Sequence, residues 1–232
     1  MKFEENLIPA RLVNREKRFL VHLRLEDGRP VIAHTNNTGT MRGCNEAGSR
    51  VWISPADFPH RKLKWTHELV ETTGGILVGI NTARAQRIAE EAIELGRIPE
   101  LAGFENMGRE KVSSPGSRID LLLEGHGKRV WVEVKNVTLV ENAHARFPDA
   151  VSARGLKHLR ELERLYKAGD RAAMLFVVQR ADAKSFGPAD DIDPEYAEGL
   201  RHAIQAGVEV YAYAAEVSLE ESTLNRKLPL KL

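Results

Sequence analysis

The first 80 residues place hydrophobic side chains at short, alternating intervals with turn residues between them. Phe19, Val21, Leu23 and Leu25 alternate with Leu20, His22 and Arg24, which predicts a strand. Asp27-Gly28 follows as a tight turn, and Pro30–His34 as the partner strand. Leu7–Val13, Val51–Ile53, Lys64–Glu71 and Ile76–Ile80 complete a set of short strands with no long helix. Such a set in so short a segment fits a small barrel of the OB type.

At Asn81-Thr82 the apolar period lengthens to that of a helix. Thr82 is the candidate cap of a helix running to Leu95, with Gly96 to end it and Ala85, Ile88, Ala89, Ala92 and Ile93 as its apolar stripe. Three strands are predicted next, at Met107–Val112, Ser117–Glu124 and Lys128–Asn136. Pro115-Gly116 and Gly125–Gly127 separate them, as in an antiparallel meander. A second amphipathic helix spans Ser152–Ala168, with Leu156, Leu159, Leu162 and Tyr166 inward. Ala172–Gln179 is a continuous apolar run, the pattern of a strand buried on both faces. Asp193 and Pro194 suit the cap and first residue of a third helix ending before Gly207, and Val208–Tyr213 is another buried strand. This order predicts an α/β sandwich. The chain has no GxGxxG or Walker loop, so neither a dinucleotide nor an NTP site is signalled. The expected architecture is α+β overall: an all-β OB-fold-like barrel over residues 1–81, then an α/β domain over residues 82–232.

Composition narrows the function classes. With 232 residues, 42% of them hydrophobic, the chain can bury a core without disulfides or a structural metal. A net charge of +1 argues against a wholly basic coat protein or a polybasic membrane binder, and leaves nucleic acid or a small ligand open. Residues 1–80 carry the excess of positive charge, which directs phosphate contacts toward the N-terminal part. Cys44 is the single cysteine, so no intramolecular disulfide forms; it reads as a small structural residue in the Arg42–Asn45 turn, and fits a reducing compartment. Met1–Ala10 lacks the apolar core of a signal peptide, and no stretch approaches the ~20 apolar residues of a membrane span. A cytoplasmic location without a membrane partner is expected.

Two stretches carry chemistry. In Arg118–Leu123 an acid, Asp120, interrupts an apolar strand. In Val130–Asn136 the valines share one face, while Trp131, Glu133 and Lys135 share the other. Pairing these strands sets Asp120 and Glu133 side by side. Two close carboxylates repel unless positive charge lies between them. A hard divalent cation, Mg²⁺ or Mn²⁺, would supply it, with the Val134 carbonyl as a further oxygen ligand. Lys135 could then orient a water or neutralise charge growing on a phosphate. The competing reading is an ion-pair ladder, Glu133 with Arg118 and Lys135 with Asp120.

Further candidates surround this core. Glu91, with neighbours Glu90 and Glu94, lies on the helix before the meander; Gln179 ends the buried run; Arg154 and Lys157 open the crossover helix. Each also has a plain structural reading, as a solvated helix charge or a strand end. Phe58–Trp65 mixes bases and rings, and Arg61, Lys62, Lys64 and Trp65 are candidate contacts to a nucleic-acid strand; the competing reading is a loop leading into a strand with Trp65 in the core. Asn36-Asn37-Thr38-Gly39 reads as a turn without chemistry, and the eight histidines show no zinc spacing.

The order helix, Asp strand, Glu-x-Lys strand, crossover helix resembles PD-(D/E)xK nucleases. Asn36–Gly43 (NNTGTMRG), Ser117–Leu123 (SRIDLLL), Val132–Leu139 (VEVKNVTL), Phe147–Val151 (FPDAV), Gly155–Leu162 (GLKHLREL) and Leu175–Arg180 (LFVVQR) together resemble the sugar fermentation stimulation protein A family. That resemblance implies an OB-fold joined to a restriction-endonuclease-like α/β sandwich, DNA binding, and a role in regulating sugar, notably maltose, metabolism. It places the nuclease motif on Asp120, Glu133 and Lys135 and the helix acid on Glu91; Ile119 stands where the name-giving proline would be. The expected partner is DNA, with a homodimer as the candidate assembly. Three classes stay open: a metal-dependent nuclease, a non-catalytic DNA-binding regulator that uses metal to dock phosphate, and an RNA-binding or structural module.

Overall fold

The structure, a computed structural model, describes residues 1–4, 6–56 and 61–232. Strands β1 (Ile8–Glu16), β2 (Leu20–Leu25), β3 (Pro30–His34), β4 (Arg50–Pro55) and β5 (Trp65–Glu71) close into a five-stranded barrel. β1 pairs antiparallel with β2 and β4, β2 with β3, and β4 with β5. A short parallel pairing of β3 with β5, Ala33 opposite Trp65, shuts the ring, and β6 (Leu77–Gly79) adds to β5. Alternation fills the interior with Leu12, Val21, Leu23, Val51, Ile53 and Val70. Cys44 lies in that core, and burial pushes its thiol up to about 11, which suits an inert packing residue.

Helix α1 (Thr82–Glu94) follows β6. Its cap is Asn81, whose side chain accepts from Ala83 N at 3.1 Å, so Thr82 is the first helical residue rather than the cap expected. The second sheet then forms from β7 (Asn106–Ser114), β8 (Ser117–Gly125), β9 (Lys128–Val137), β12 (Arg171–Val178), β14 (Glu209–Val217) and β15 (Ser222–Lys227). Their order is β15-β14-β12-β9-β8-β7. β7–β9 are the antiparallel meander, and β9, β12 and β14 run parallel. The crossovers carry α2 (Ala153–Lys167) and α3 (Pro194–Gln205). A small sheet of β10 (Val140–Glu141), β11 (His144–Phe147) and β13 (Ser185–Pro188) flanks them. That sheet and β15 were not expected, because their strands are short, polar or broken by turn residues.

α1 covers one face of the large sheet, packing with Leu121, Val132, Ala173, Leu175 and Val177. α2 and α3 cover the other, over Met174, Phe176 and Val178. Both faces of β12 are therefore apolar, as its unbroken hydrophobic run requires. On α2 the inward stripe is Leu159, Leu162 and Leu165; Tyr166, expected inward, lies one position off that stripe and is 42% exposed. Among the described residues no helix is long and apolar enough to cross a membrane.

Candidate metal and nucleic-acid site

The site begins at a break in the meander. β8 pairs with β9 from Gly125 opposite Lys128 down to Leu121 opposite Val132, one residue short of Asp120. On the other side, the β7 register steps from Arg109–Leu121 to Lys111–Ile119, passing over Glu110, whose φ of 48° is left-handed. Asp120 occupies this gap. Its Oδ2 accepts the Val134 backbone N–H at 2.7 Å, so a carboxylate takes the place of a ladder carbonyl.

Glu133 stands beside it, 1% exposed. Its Oε1 accepts from Lys135 Nζ and lies against His158 Nδ1, reached from α2. Its Oε2 is buried with no hydrogen-bond partner among the described residues. The two acids differ in character. Burial, then the Glu133 charge, push Asp120 up to about 6 against the Val134 N–H and Lys135. For Glu133 burial also works upward, but the His158 hydrogen bond and the Lys135 charge together outweigh it and hold the carboxyl below its usual range. One acid is shifted toward its ionised form and the other toward its neutral form, a division seen where two carboxylates have distinct tasks.

These groups fit a hard divalent cation. Among the described residues no group of three His, Cys, Asp or Glu is arranged to hold a metal. Mg²⁺, however, commonly takes one or two carboxylates and completes its shell with water and substrate phosphate. Asp120 and Glu133 supply two, and the unpartnered Glu133 Oε2 is an oxygen with capacity to spare. Val134, whose carbonyl was the third expected ligand, borders the same cleft.

That cleft, of about 340 Å³, lies between the two domains. Asp120 and Lys135 line it on one side, Asn36–Gly39 from the barrel on the other, with Asp149 and Arg154 at its rim. The loop is held firmly. Asp149 Oδ2 accepts Met41 N at 2.9 Å, and its backbone oxygen accepts Thr40 Oγ1 at 2.8 Å. Arg15 Nη2 donates to the carbonyls of Asn37 and Gly39 at 2.8 and 2.9 Å. Asn36 Oδ1 accepts Thr82 N at 2.9 Å, and Asn36 Nδ2 donates to Asn81 Oδ1 at 2.7 Å. A Cβ on Gly39 would collide with the Asp149 carboxylate. The loop read as a turn without chemistry is thus a wall of the site. Turn residues alone could not reveal this, since Asp120 and Lys135 opposite lie more than 80 residues further along the chain.

The other candidates divide. Gln179 does not line the cleft; its Nε2 donates to Asn136 Oδ1 at 2.6 Å, and its amide end fills the space left by Gly79, so it joins the domains behind the site. Glu91 is not brought to the cleft. It binds the N-terminal ammonium of Met1 at 2.6 Å and lies 3.8 Å from Arg97. Glu90 is the acid on the flank nearer the site, paired with Arg109 at 2.9 Å and accepting from Gln86, which lines the cleft. Arg154 and Lys157 are exposed on α2; Arg154 reaches the cleft, and Lys157 donates to the Gly116 carbonyl at 2.8 Å. Arg61 bonds Thr66 Oγ1 at 2.9 Å, Trp65 packs partly buried against the barrel core, and Lys62 and Lys64 are exposed. None of these four lines the cleft. Phe58–His60 lie outside the described residues. The ladder does not form as drawn: Lys135 pairs with Glu133, and Arg118 is exposed on the next cleft. His158 was missed, although a histidine on the stripe of Leu159 and Leu162 was a visible signal.

Comparison with known proteins matches this architecture. Residues 13–80 match the sugar fermentation stimulation protein A N-terminal OB domain, and residues 83–221 match the sugar fermentation stimulation protein RE domain. A sugar fermentation stimulation protein homolog of Pelobacter propionicus is 52% identical over 97% of this chain and 98% of its own. Another, of Geobacter metallireducens, is 49% identical over the whole of both. The solved structure of Pyrococcus furiosus SfsA in complex with Ca²⁺ superposes with a TM-score of 0.90 at 30% identity, covering 100% of this chain and 98% of that one. With both domains matched along nearly their whole length, the chain belongs to the sugar fermentation stimulation protein family.

Proposed function

We propose that this protein is a DNA-binding, metal-dependent phosphodiesterase of the PD-(D/E)xK type, acting in the cytoplasm in the control of sugar utilisation. The observation that carries the reading is the pair Asp120 and Lys135 lining the cleft, with Glu133 buried beside them and its Oε2 without a hydrogen-bond partner among the described residues. Asp120 and Glu133 would hold Mg²⁺ or Mn²⁺, and the Ca²⁺ named for the Pyrococcus relative supports an oxygen-ligand site in this fold. The cation, when bound, supplies Lewis acidity toward a phosphate oxygen. Lys135 adds a fixed positive charge where phosphate charge grows during displacement. His158 holds Glu133 Oε1 from α2, a positioning role. Arg154 at the rim orients a neighbouring phosphate, and Asn136 and Gln179 fix the wall behind.

The test is incubation of purified protein with plasmid and single-stranded DNA in Mg²⁺, in Mn²⁺ and in chelator. Cleavage that needs metal and is lost in Asp120→Ala supports the reading; metal-independent cleavage retained in that variant is a contaminant. A second reading is favoured by one observation: Lys135 is engaged with Glu133 and so neutralises it without a cation. On that reading the protein is a DNA-binding regulator, and the site docks phosphate without cutting. Binding of DNA without cleavage of any substrate would select it.

A further inference from the structure

The cleft continues beyond the acid pair. Arg154, which lines it, also lines a second depression of about 510 Å³ bounded by Gly116, Arg118 and Lys157. His158 forms its floor, and on the opposite side His158 touches Glu133. Three exposed cations, Arg118, Arg154 and Lys157, therefore lead away from the acid pair, against one acid, Glu110, in that depression. Arg154 and Lys157 lie nearly one helical turn apart on α2, about 4.5 Å along its axis. Arg118 projects from β8, two residues from Asp120.

The opposite side of the path is closed. Asn36–Gly39 stands over the acid pair, fixed by Arg15 from within the barrel and by Asp149 from the other domain. Its volume falls at the small end of the range of about 300–1,000 Å³ for ligand pockets, which admits a nucleotide. In B-form DNA the two backbones flank grooves about 12 Å and about 6 Å wide. A duplex with one phosphate at Lys135 must also carry its second strand across a groove, where the cleft is walled by the pinned loop and by Arg154 and Gly155 of α2. A lone strand has no such partner, and its phosphates can follow the cations.

We infer that the substrate is a single polynucleotide strand, whose scissile phosphate lies at Lys135 beneath the Asn36–Gly39 loop and whose neighbouring phosphates run over Arg154, Lys157 and Arg118. This rests on the phosphodiesterase reading and adds the form of the substrate. The track requires no cut to be detected, because counterion release on binding reports each phosphate contact.

The experiment is equilibrium binding of the full chain, in Ca²⁺, to one labelled DNA sequence as single strand and as blunt duplex, and to the same sequence as RNA, across a salt series. The single strand should bind about tenfold or more tightly than the duplex. The Arg118→Ala/Lys157→Ala double variant, checked for a wild-type melting curve, should lower the single-strand salt slope by about 1.4. Asp149→Ala, which removes the side-chain tie to Met41 beside the loop, should narrow the preference toward the duplex. RNA bound as well as DNA supports the track and makes it indifferent to the sugar; RNA bound in preference supports the track and moves the substrate to RNA. Duplex bound as tightly as the single strand, or no binding to either, overturns the inference, and so does an unchanged slope in a folded double variant. The two readings fail separately. Duplex preference with metal-dependent cleavage removes the single-strand inference alone. Single-strand preference with no cleavage in Mg²⁺ or Mn²⁺ removes the phosphodiesterase alone.

Discussion

The Asp120 carboxylate stands in for a backbone carbonyl at the Val134 amide, 2.7 Å away. The acid is thus tied to the strand that carries Glu133 and Lys135, and the three groups move as one unit. Burial and the neighbouring Glu133 charge make Asp120 costly despite this tie. It is mostly out of water and beside another acid, in a position that serves folding poorly and ligand binding well.

Asp120→Asn should therefore stabilise the metal-free protein at pH 7.5. The folded carboxyl titrates at about 6, above its ordinary 3.8. An acid whose pKa is raised by folding costs stability when ionised: the cost is full above about pH 6 and gone below about 3.8. The shift corresponds to roughly 2–3 kcal/mol as an upper figure. Asparagine keeps an oxygen for the Val134 N–H and removes the charge. Melting curves in chelator should show the variant higher at pH 7.5, with the gap closing toward pH 4. A gap that widens toward acid contradicts the assignment.

Metal affinity should follow the same titration with the opposite benefit. A cation competes with the Asp120 proton, so affinity should fall as pH drops through about 6 and level off above it. Calorimetric titrations of Mn²⁺ at pH 5.5 and pH 7.5 measure this; equal affinities would detach Asp120 from the metal.

Lys135→Ala should leave DNA binding nearly intact and slow cleavage by about 10²–10³, the usual loss for one well-placed electrostatic donor. Single-turnover rates under saturating Mg²⁺ provide the comparison. His158→Ala should slow cleavage less, because Glu133 Oε1 keeps its contact with Lys135. A loss equal to that of Lys135→Ala would make His158 more than a positioning residue.

On the barrel, Lys62 and Lys64 are exposed, whereas Trp65 packs against the core. If the bound strand extends that far, each lysine replaced by alanine lowers the single-strand salt slope by about 0.7. Trp65→Ala should instead cost fold stability, on the order of 2–4 kcal/mol, through a void in the barrel wall. Urea unfolding of the variant separates the two: unchanged stability with weaker binding would make Trp65 a stacking surface.

The sequence made most of the elements legible because its period is clean. Val130, Val132 and Val134 alternate against Trp131, Glu133 and Lys135, the period of a strand with two distinct faces. Asp120 was legible for the converse reason, as an acid inside the apolar run Ile119–Leu123. What could not be read was contact across the chain. At the cleft Gly39 lies against the Asp149 carboxylate, and nothing local in either segment announces the other. Glu91 shows the limit of helical phase. Neighbouring acids on α1 diverge by about 100°, enough to send Glu91 to the N-terminal ammonium while Glu90 lies nearer Gln86 and the cleft. His158 was discounted because no zinc spacing surrounded it, yet its partner is a carboxylate from another strand.

The most direct test of the account is a calorimetric titration of Mn²⁺ into the full chain at pH 7.5, beside Asp120→Ala and the isosteric Glu133→Gln. The account predicts one saturable site in the wild type, absent from both variants while their folds persist. Equal weak heats in all three proteins would contradict it.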